Sequence, residues 1–355
     1  MLILGLESSC DETAASVVEN GRAVRSNVVA SQHELHAEYG GVVPEVASRA
    51  HLERLTPVVE AALREAGIGW GGVDGVAVGN RPGLIGSLVV GVSAAKALAW
   101  SLGVPLVGVD HVEAHLYAPL LDTELSESEV YPALGLVISG GHTSLYRVGG
   151  PTDLTRLGAT IDDAVGEAYD KAAVMLDAGY PGGPSLDRLA QTGDPTAHDL
   201  PRPMLGKDSL DFSFSGLKTA LLYKVRGKPV GRGAESRFEQ SAADLSEKER
   251  ADLAASFQAA VMDTVERKLE RALTQLEAEG TTVKTLLAGG GVTANSELRR
   301  RLPAFGERHG LRVGVPPMSY CVDNAAMIAG LAFHQLTADG VGDGLGLPVF
   351  STTRG

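Results

Sequence analysis

Cysteine is nearly missing: Cys10 and Cys321 are the only two in 355 residues. Two distant thiols make no disulfide framework, and a reducing compartment, the cytoplasm, is expected. Basic residues are outnumbered, 31 Lys and Arg against 44 Asp and Glu, for a formal net charge of −13. That balance argues against non-specific nucleic-acid binding, which needs a basic surface, but leaves room for a local basic patch. The start MLILGL meets Glu7 at once, without a basic lead-in or a cleavage-like site, so no secretory signal is expected. Nor is there a long uninterrupted apolar run. The least polar stretch, 84–109, contains Lys96, Pro105 and several glycines, and reads as a buried helix followed by a strand, with no membrane span.

What is present is a globular composition, 44% hydrophobic and 21% charged, in a chain long enough for two domains. It also contains a repeat. LGLESSCDET (4–13) and LGLVISGGHT (134–143) match in register: Leu-Gly-Leu, two residues, Ser, then Thr four further on. An alternating apolar run follows each, so both read as a strand, a small-residue turn and a returning strand. The two halves then continue in the same order. The first runs from a helix over 51–67 to the strand VDGVAV, the turn GNRPG, a helix over 86–102, the strand VPLVGV and a helix opening at Asp110. The second runs from a helix over 251–279 to VKTLLA, the turn Gly289–Gly291, a helix from Asn295, LRVGV and a helix opening near Asp323. This order predicts a duplicated α/β fold with partly parallel sheets, two lobes facing across a cleft. The predicted lobes are 1–130 and 131–340, the second with insertions at 149–224 and 226–250, and 341–355 forms a tail. The Gly- and Glu-rich 226–250 stretch reads as a mobile loop.

Two kinds of chemistry are suggested by spacing. The turn at Ser139, Gly140 and Gly141, and the turn Gly289, Gly290 and Gly291, expose backbone N–H groups where no Cβ blocks a phosphate. Tight turns use the same residues, and only their equivalent places in a duplicated fold favour nucleotide binding. In HVEAH, His111 and His115 are four apart, about 40° in azimuth on a helix, so both imidazoles share one face and can hold one divalent metal. Glu113 points elsewhere. The duplication supplies a third ligand, since Asp323 in CVDNAAMIAG stands where Asp110 or His111 stands in the first half. Two histidines and one carboxylate leave coordination positions open, which suits Fe(II) or a catalytic Zn(II). Neither zinc-protease signature is met, because position 112 is Val and 114 is Ala. The run 296–312 is the one basic candidate, with five arginines against two glutamates.

Taken together, MLILGLESSCDETAASVV, GGVVPEVASRAHLE, HVEAHLYA, SGGHT, EAYDKAA, YPGGP, DFSFSGLKTA, GGGVTAN and VDNAAMIAG resemble the TsaD family, over about 1–336. The resemblance implies an actin-like, RNase-H-like (ASKHA) two-lobe fold. It also implies transfer of a threonylcarbamoyl group from threonylcarbamoyl-AMP to N6 of the adenosine 3′ to the anticodon, in tRNAs reading codons that start with A. Carried over residue by residue, the metal ligands are His111, His115 and Asp323, with Fe(II) expected ahead of Zn(II). The intermediate and its AMP part fall to Val137, Ile138, Ser139, Gly140, Gly141, Asp170, Gly183, Asp187 and Asn295. TsaB-like and TsaE-like partners are implied, and no membrane.

The chemistry then needs both reactants held in line, oxyanion charge stabilised and a proton removed from a weakly nucleophilic adenine amine. Asp11 is the favoured general base, with Glu12 and His142 as rivals, because both hairpins aim these side chains at the cleft. Capping of a turn is the plainer role for Asp11 and Glu12. Asp170 and Asp187 are expected at ribose hydroxyls, with Asn295 and Gly289–Gly291 flanking adenine and ribose. A small-molecule kinase of the same superfamily is the first rival, but a His/His/Asp set suits Mg²⁺ poorly. A metalloprotease and a nucleotide-dependent scaffold are the others.

Overall fold

The computed structural model describes residues 1–231 and 237–353. Its order begins β1 (Leu2–Glu7), β2 (Glu12–Glu19), β3 (Ala23–Ser31), α1 (His33–Ala37), α2 (Pro44–Glu65), β4 (Gly75–Arg81), α3 (Ile85–Leu102), β5 (Leu106–Asp110), α4 (His111–Tyr117) and α5 (Glu127–Val130). It continues with β6 (Ala133–Ile138), β7 (Thr143–Gly150), β8 (Asp153–Ala159), α6 (Val165–Met175), α7 (Gly182–Ala190), α8 (Ser215–Arg226) and α9 (Glu247–Ala278). Last come β9 (Thr285–Gly289), α10 (Ser296–His309), β10 (Arg312–Gly314) and α11 (Ala325–Asp339). The strands form two five-stranded sheets, ordered β3-β2-β1-β4-β5 and β8-β7-β6-β9-β10. In each the first strand pairs antiparallel with the second and parallel with the fourth. Sheet for sheet, the second half repeats the first.

Two sequence expectations shift. The first-half helix begins at Pro44, not at 51, because a proline at the first helical position loses no hydrogen bond and presets φ. The stretch 149–224, expected as an insertion, starts inside β7 and contains β8, the counterpart of β3. The added helices are therefore α6, α7 and α8. Part of the expected mobile loop, 232–236, lies outside the described residues. The apolar α3 is long enough to cross a membrane by length and composition, yet it is the crossover between the parallel strands β4 and β5, with Val92, Ala95 and Ala99 in one core with the sheet. Its end is set by Gly103, whose φ of 68° takes the left-handed cap.

The halves exchange their last helices. α4 leaves the first sheet and packs on β6 and β9, whereas α11 returns to pack on β1 and β2. The matching glycines of the two Leu-Gly-Leu strands make this possible. A Cβ at Gly5 would lie 2.3 Å from Ala325 O, and one at Gly135 would lie 2.9 Å from Leu116 Cδ1. Each glycine admits the other half's helix onto its strand. The two exchanged helices touch, Gly330 against Tyr117, and share one buried core with Ile3, Val109, Val112, Val137 and Leu287. The tail covers the edge of β5: Asp343 N donates to Leu106 O at 2.7 Å, Gly108 N donates to Asp343 Oδ2 at 2.8 Å, and Leu347 fills the space over Gly108.

Candidate metal centre and nucleotide cleft

The start of α4 is fixed by Asp110, whose Oδ1 accepts from Val112 N at 2.9 Å and Glu113 N at 3.3 Å. Asn324 caps α11 in the same way, accepting from Met327 N at 3.1 Å. The counterpart of Asp110 is thus Asn324, and Asp323 stands one residue before the cap. That extra residue is what turns its carboxylate toward α4. One ligand atom from each of His111, His115 and Asp323 lies within 4.8 Å of the other two. Asp323 Oδ1 is 3.4 Å from His111 Nε2 and 3.2 Å from His115 Nε2, and the imidazoles are 4.6 Å apart at 79°.

The residues fit a divalent cation. His115 is fully buried: its Nδ1 has no hydrogen-bond partner and its Nε2 faces only the Asp323 oxygen 3.2 Å away, an arrangement that costs free energy unless something electrophilic is bound there. Burial, and then the neighbouring His111, lower the affinity of His115 for a proton. A neutral imidazole beside a carboxylate is a metal ligand in waiting. Burial opposes charge on Asp323, but His111 and His115 hold its carboxyl well below the usual range, so it is ionised. Behind His111 stands a residue that spacing did not reveal: Glu7, at the end of β1, fully buried, with Oε2 2.9 Å from His111 Nδ1.

The phosphate candidates lie beside this cluster. Val137 and Ile138 end β6 with their side chains in the core, so only their backbone faces the turn. Ser139 N donates to His142 O at 2.8 Å and His142 N to Ser139 Oγ at 3.1 Å, which closes the turn. Gly140 and Gly141 have nothing within 4 Å of where a Cβ would stand. The N-terminus of α6 abuts them, Gly166 N donating to Ser139 O at 3.1 Å, and its dipole favours an anion there. Gly183 and Gly291 are open too. Gly289 and Gly290 are not. A Cβ at Gly289 would lie 1.9 Å from His115 O, and one at Gly290, whose φ is 100°, would lie 2.5 Å from Ile138 O. These two are packing glycines, and they join the metal helix to the turn.

The polar candidates of the second half are partly engaged. Asp170 Oδ1 accepts from Gly183 N at 3.0 Å, tying α6 to α7, and burial raises its carboxyl. Asp187 accepts from Ser296 N at 3.1 Å and Ser296 Oγ at 2.8 Å, tying α7 to α10. Asn295 caps α10 through Leu298 N at 3.0 Å and gives its amide to Gln258 Oε1 at 2.9 Å. Gln258 and Ser296, unmarked in the sequence, are the partners that position this wall.

Across the cleft, burial first, then Asp323 and Asp11, push the Glu12 carboxyl up to about 10. Burial, followed by His111 and His115, lowers His142 to about 4. Burial and Asp11 push the Cys10 thiol far above its usual value, so it is no nucleophile. His33 sits 4.0 Å from Asp11 Oδ2 and 3.8 Å from Glu12 Oε1, facing the Tyr180 ring 6.3 Å away.

The basic run of α10 differs from its expectation. Arg299 donates to Pro316 O and Cys321 Sγ; Arg300 pairs with Glu297; Arg301 with Asp263, Glu266 and Glu297; Arg308 with Glu266. Arg312 lies 3.9 Å from Glu129. Arg301 and Arg308 tie α10 to the acidic face of α9 and Arg299 ties it to 316–321, whereas Arg300 pairs within its own helix and stays largely exposed.

Residues 23–330 match the family described as TsaD, tRNA N6-adenosine threonylcarbamoyltransferase. The protein of that name from Trichlorobacter lovleyi is 50% identical over 353 residues, which cover 99% of this chain and 96% of that protein. Its namesake from Geobacter sp. (strain M21) is 49% identical over 329 residues, 93% of this chain and 90% of that one. Among solved structures, HypF from T. kodakarensis superposes with a TM-score of 0.60 at 18% identity, covering 96% of this chain and 48% of that one. Full-length HypF in its phosphate- and nucleotide-bound form gives 0.57 at 14% identity, covering 96% and 56%. At that distance the likeness carries the fold alone, an actin-like pair of lobes.

Proposed function

The chain belongs to the tRNA N6-adenosine threonylcarbamoyltransferase family, and on that premise we propose how its cleft carries out the transfer. It is a transferase acting on tRNA; the kinase, protease and scaffold readings fall away with the family. In our reading the donor is threonylcarbamoyl-AMP and the acceptor is N6 of the adenosine 3′ to the anticodon, in tRNAs reading codons that start with A. The lobes are 1–130 and 131–340, with the tail as a strap. The AMP phosphate lies on the Ser139–Gly141 turn at the N-terminus of α6. The open Gly183 and Gly291 line the nucleoside, and Asp170 and Asp187 face its ribose.

His111, His115 and Asp323 would hold one divalent ion, Fe(II) ahead of Zn(II), which when bound supplies Lewis acidity toward the threonylcarbamoyl group. Asp11 is the base that takes the proton from N6. Glu12, with its carboxyl near 10, is protonated at neutral pH and donates a hydrogen bond instead. His142 is neutral and orients the turn. As N6 attacks the carbamoyl carbon, the bond to the phosphate oxygen breaks and AMP leaves. The observation that carries this reading is convergence: Gly289 against His115, and Gly290 against Ile138, bring helix, turn and glycine loop to one place. With −13 overall, TsaB-like and TsaE-like partners are needed to supply basic surface for tRNA, in the cytoplasm.

The test combines the chain with both partners, threonine, bicarbonate, ATP, the enzyme that makes the intermediate, and unmodified tRNA. Nucleoside mass spectrometry should find threonylcarbamoyladenosine. Unmodified adenosine with preformed donor and all partners present would overturn the assignment. With preformed donor, Asp11→Asn should lose about 10²–10⁴-fold in rate, the usual worth of a general base, and near-normal turnover would free Asp11 of that role.

A further inference from the structure

We propose that Glu7 is the positioning carboxylate of the metal centre: it holds His111 with the proton on Nδ1, so that Nε2 presents its lone pair to the ion. This rests on reading His111, His115 and Asp323 as a metal site. A carboxylate with none of its surface exposed is expensive to bury, and it is retained only where its oxygens are satisfied. Both Glu7 oxygens have partners. Oε1 accepts from Ser9 N at 2.5 Å and Oε2 lies 2.9 Å from His111 Nδ1. Ser9 Oγ adds a second contact to the same Nδ1 at 3.3 Å. Among the described residues no other charged partner at Nδ1 competes, and the opposite ring nitrogen looks at Asp323, 3.4 Å away. The ring is therefore held between two carboxylates, one on each nitrogen.

A second observation is independent of the histidine. Gly79 of β4, the strand parallel to β1, leaves room for this side chain: a Cβ there would lie 2.7 Å from Glu7 Oε2. The sheet is cut away where the carboxylate stands. His115 has no such support, since its Nδ1 has no hydrogen-bond partner. The two ligands are thus unequal, and His111 is the oriented one. A carboxylate behind a ligating imidazole fixes the tautomer and raises ligand basicity, and its loss typically weakens metal binding about 10–100-fold.

The experiment uses the full chain, stripped of metal, with Co(II) and Zn(II) titrated against a chromophoric chelator. Glu7→Gln keeps the volume but removes the charge, and it should bind both ions about 10–100-fold more weakly than the parent, with the circular dichroism unchanged. Gly79→Ala retains the carboxylate but displaces it, and it should weaken binding in the same direction. The readout that a merely structural role would not move is ¹⁵N NMR of histidine-labelled, Zn(II)-loaded parent protein. His111 should show a protonated Nδ1 and a metal-bound Nε2. Equal affinities for the parent and a folded Glu7→Gln, or a metal-bound Nδ1 on His111, would overturn the proposal even if the site itself stands. A parent that binds neither ion would overturn the metal reading, and this proposal with it.

Discussion

A glycine inside a strand weakens it by about 0.5–1 kcal/mol against alanine, so each one at this centre needs a reason. Gly289 has one, in the backbone carbonyl of His115 at 1.9 Å from the missing Cβ. Because neither backbone can yield, Gly289→Ala should push α4 off β9, costing about 1–3 kcal/mol and lowering the melting temperature of the metal-free protein. Gly141→Ala meets nothing within 4 Å. Its stability should match the parent, while KM for the donor rises about tenfold if a phosphate hydrogen bond is displaced. An unchanged KM would make that turn merely a turn. Glu12 gives a pH test at the same scale. Its carboxyl is raised from an ordinary 4.5 to about 10, so its contribution to stability is complete below 4.5 and is lost as pH climbs through 10. Glu12→Gln mimics the protonated group, and metal-free Glu12→Gln should outlast the parent at pH 9 in thermal melts, with the difference vanishing near pH 4.

At the scale of elements, α10 and the tail separate what the sequence makes legible from what it hides. Alternation and helical periodicity are local, so the strands, the helices and the doubled order of the halves could be read from 4–13 and 134–143 outward. The exchange of α4 and α11 could not, because nothing in HVEAHLY says which sheet will receive it; only the glycines at 5 and 135 carry that signal, and it is decoded by contact. Glu7 is hidden for a related reason: an acid at the end of an apolar strand has no spacing signature until Gly79 and His111 close on it. The five arginines of 296–312 stand out by charge, but the acids that take Arg301, Arg308 and Arg312, namely Asp263, Glu266 and Glu129, are far off in sequence. Arg301→Ala should therefore destabilise by about 1–3 kcal/mol by leaving partly buried carboxylates unpaired, with tRNA affinity of the assembled complex unchanged. Removal of 341–355 uncovers the edge of β5 and the Leu347 pocket. Burial of one leucine is worth about 1.5–3 kcal/mol, and the truncated chain should melt lower and aggregate through that edge.

Over the whole molecule, the proposed metal ligands sit where the two halves are laced together. His111 and His115 ride on a helix of the first half that packs on the second sheet; Asp323 leads into the helix that returns to the first. An ion shared among them would join both exchanged helices, and so resist separation of the lobes as well as local fraying. Binding confined to the folded state adds about 2.7 kcal/mol at a hundredfold excess over Kd, which at about 2–4 °C per kcal/mol is roughly 5–11 °C in the melting temperature for a chain of 150–250 residues, and somewhat less for a longer one. Chelation of the purified chain should lower its melting temperature by an amount of that order, and restoring Fe(II) or Zn(II) should reverse the drop. His115→Ala should melt at one temperature with or without chelator. The variant also loses the 3.2 Å contact of Nε2 with Asp323 and leaves a cavity at a fully buried position, so it should melt below the chelated parent. That pattern, a parent that responds to chelator and a variant that does not, separates an ion that ties the lobes from a histidine that merely fills space. A parent indifferent to chelation would mean that the two helices hold each other through the shared apolar core of Val112, Leu116, Met327 and Leu331 alone.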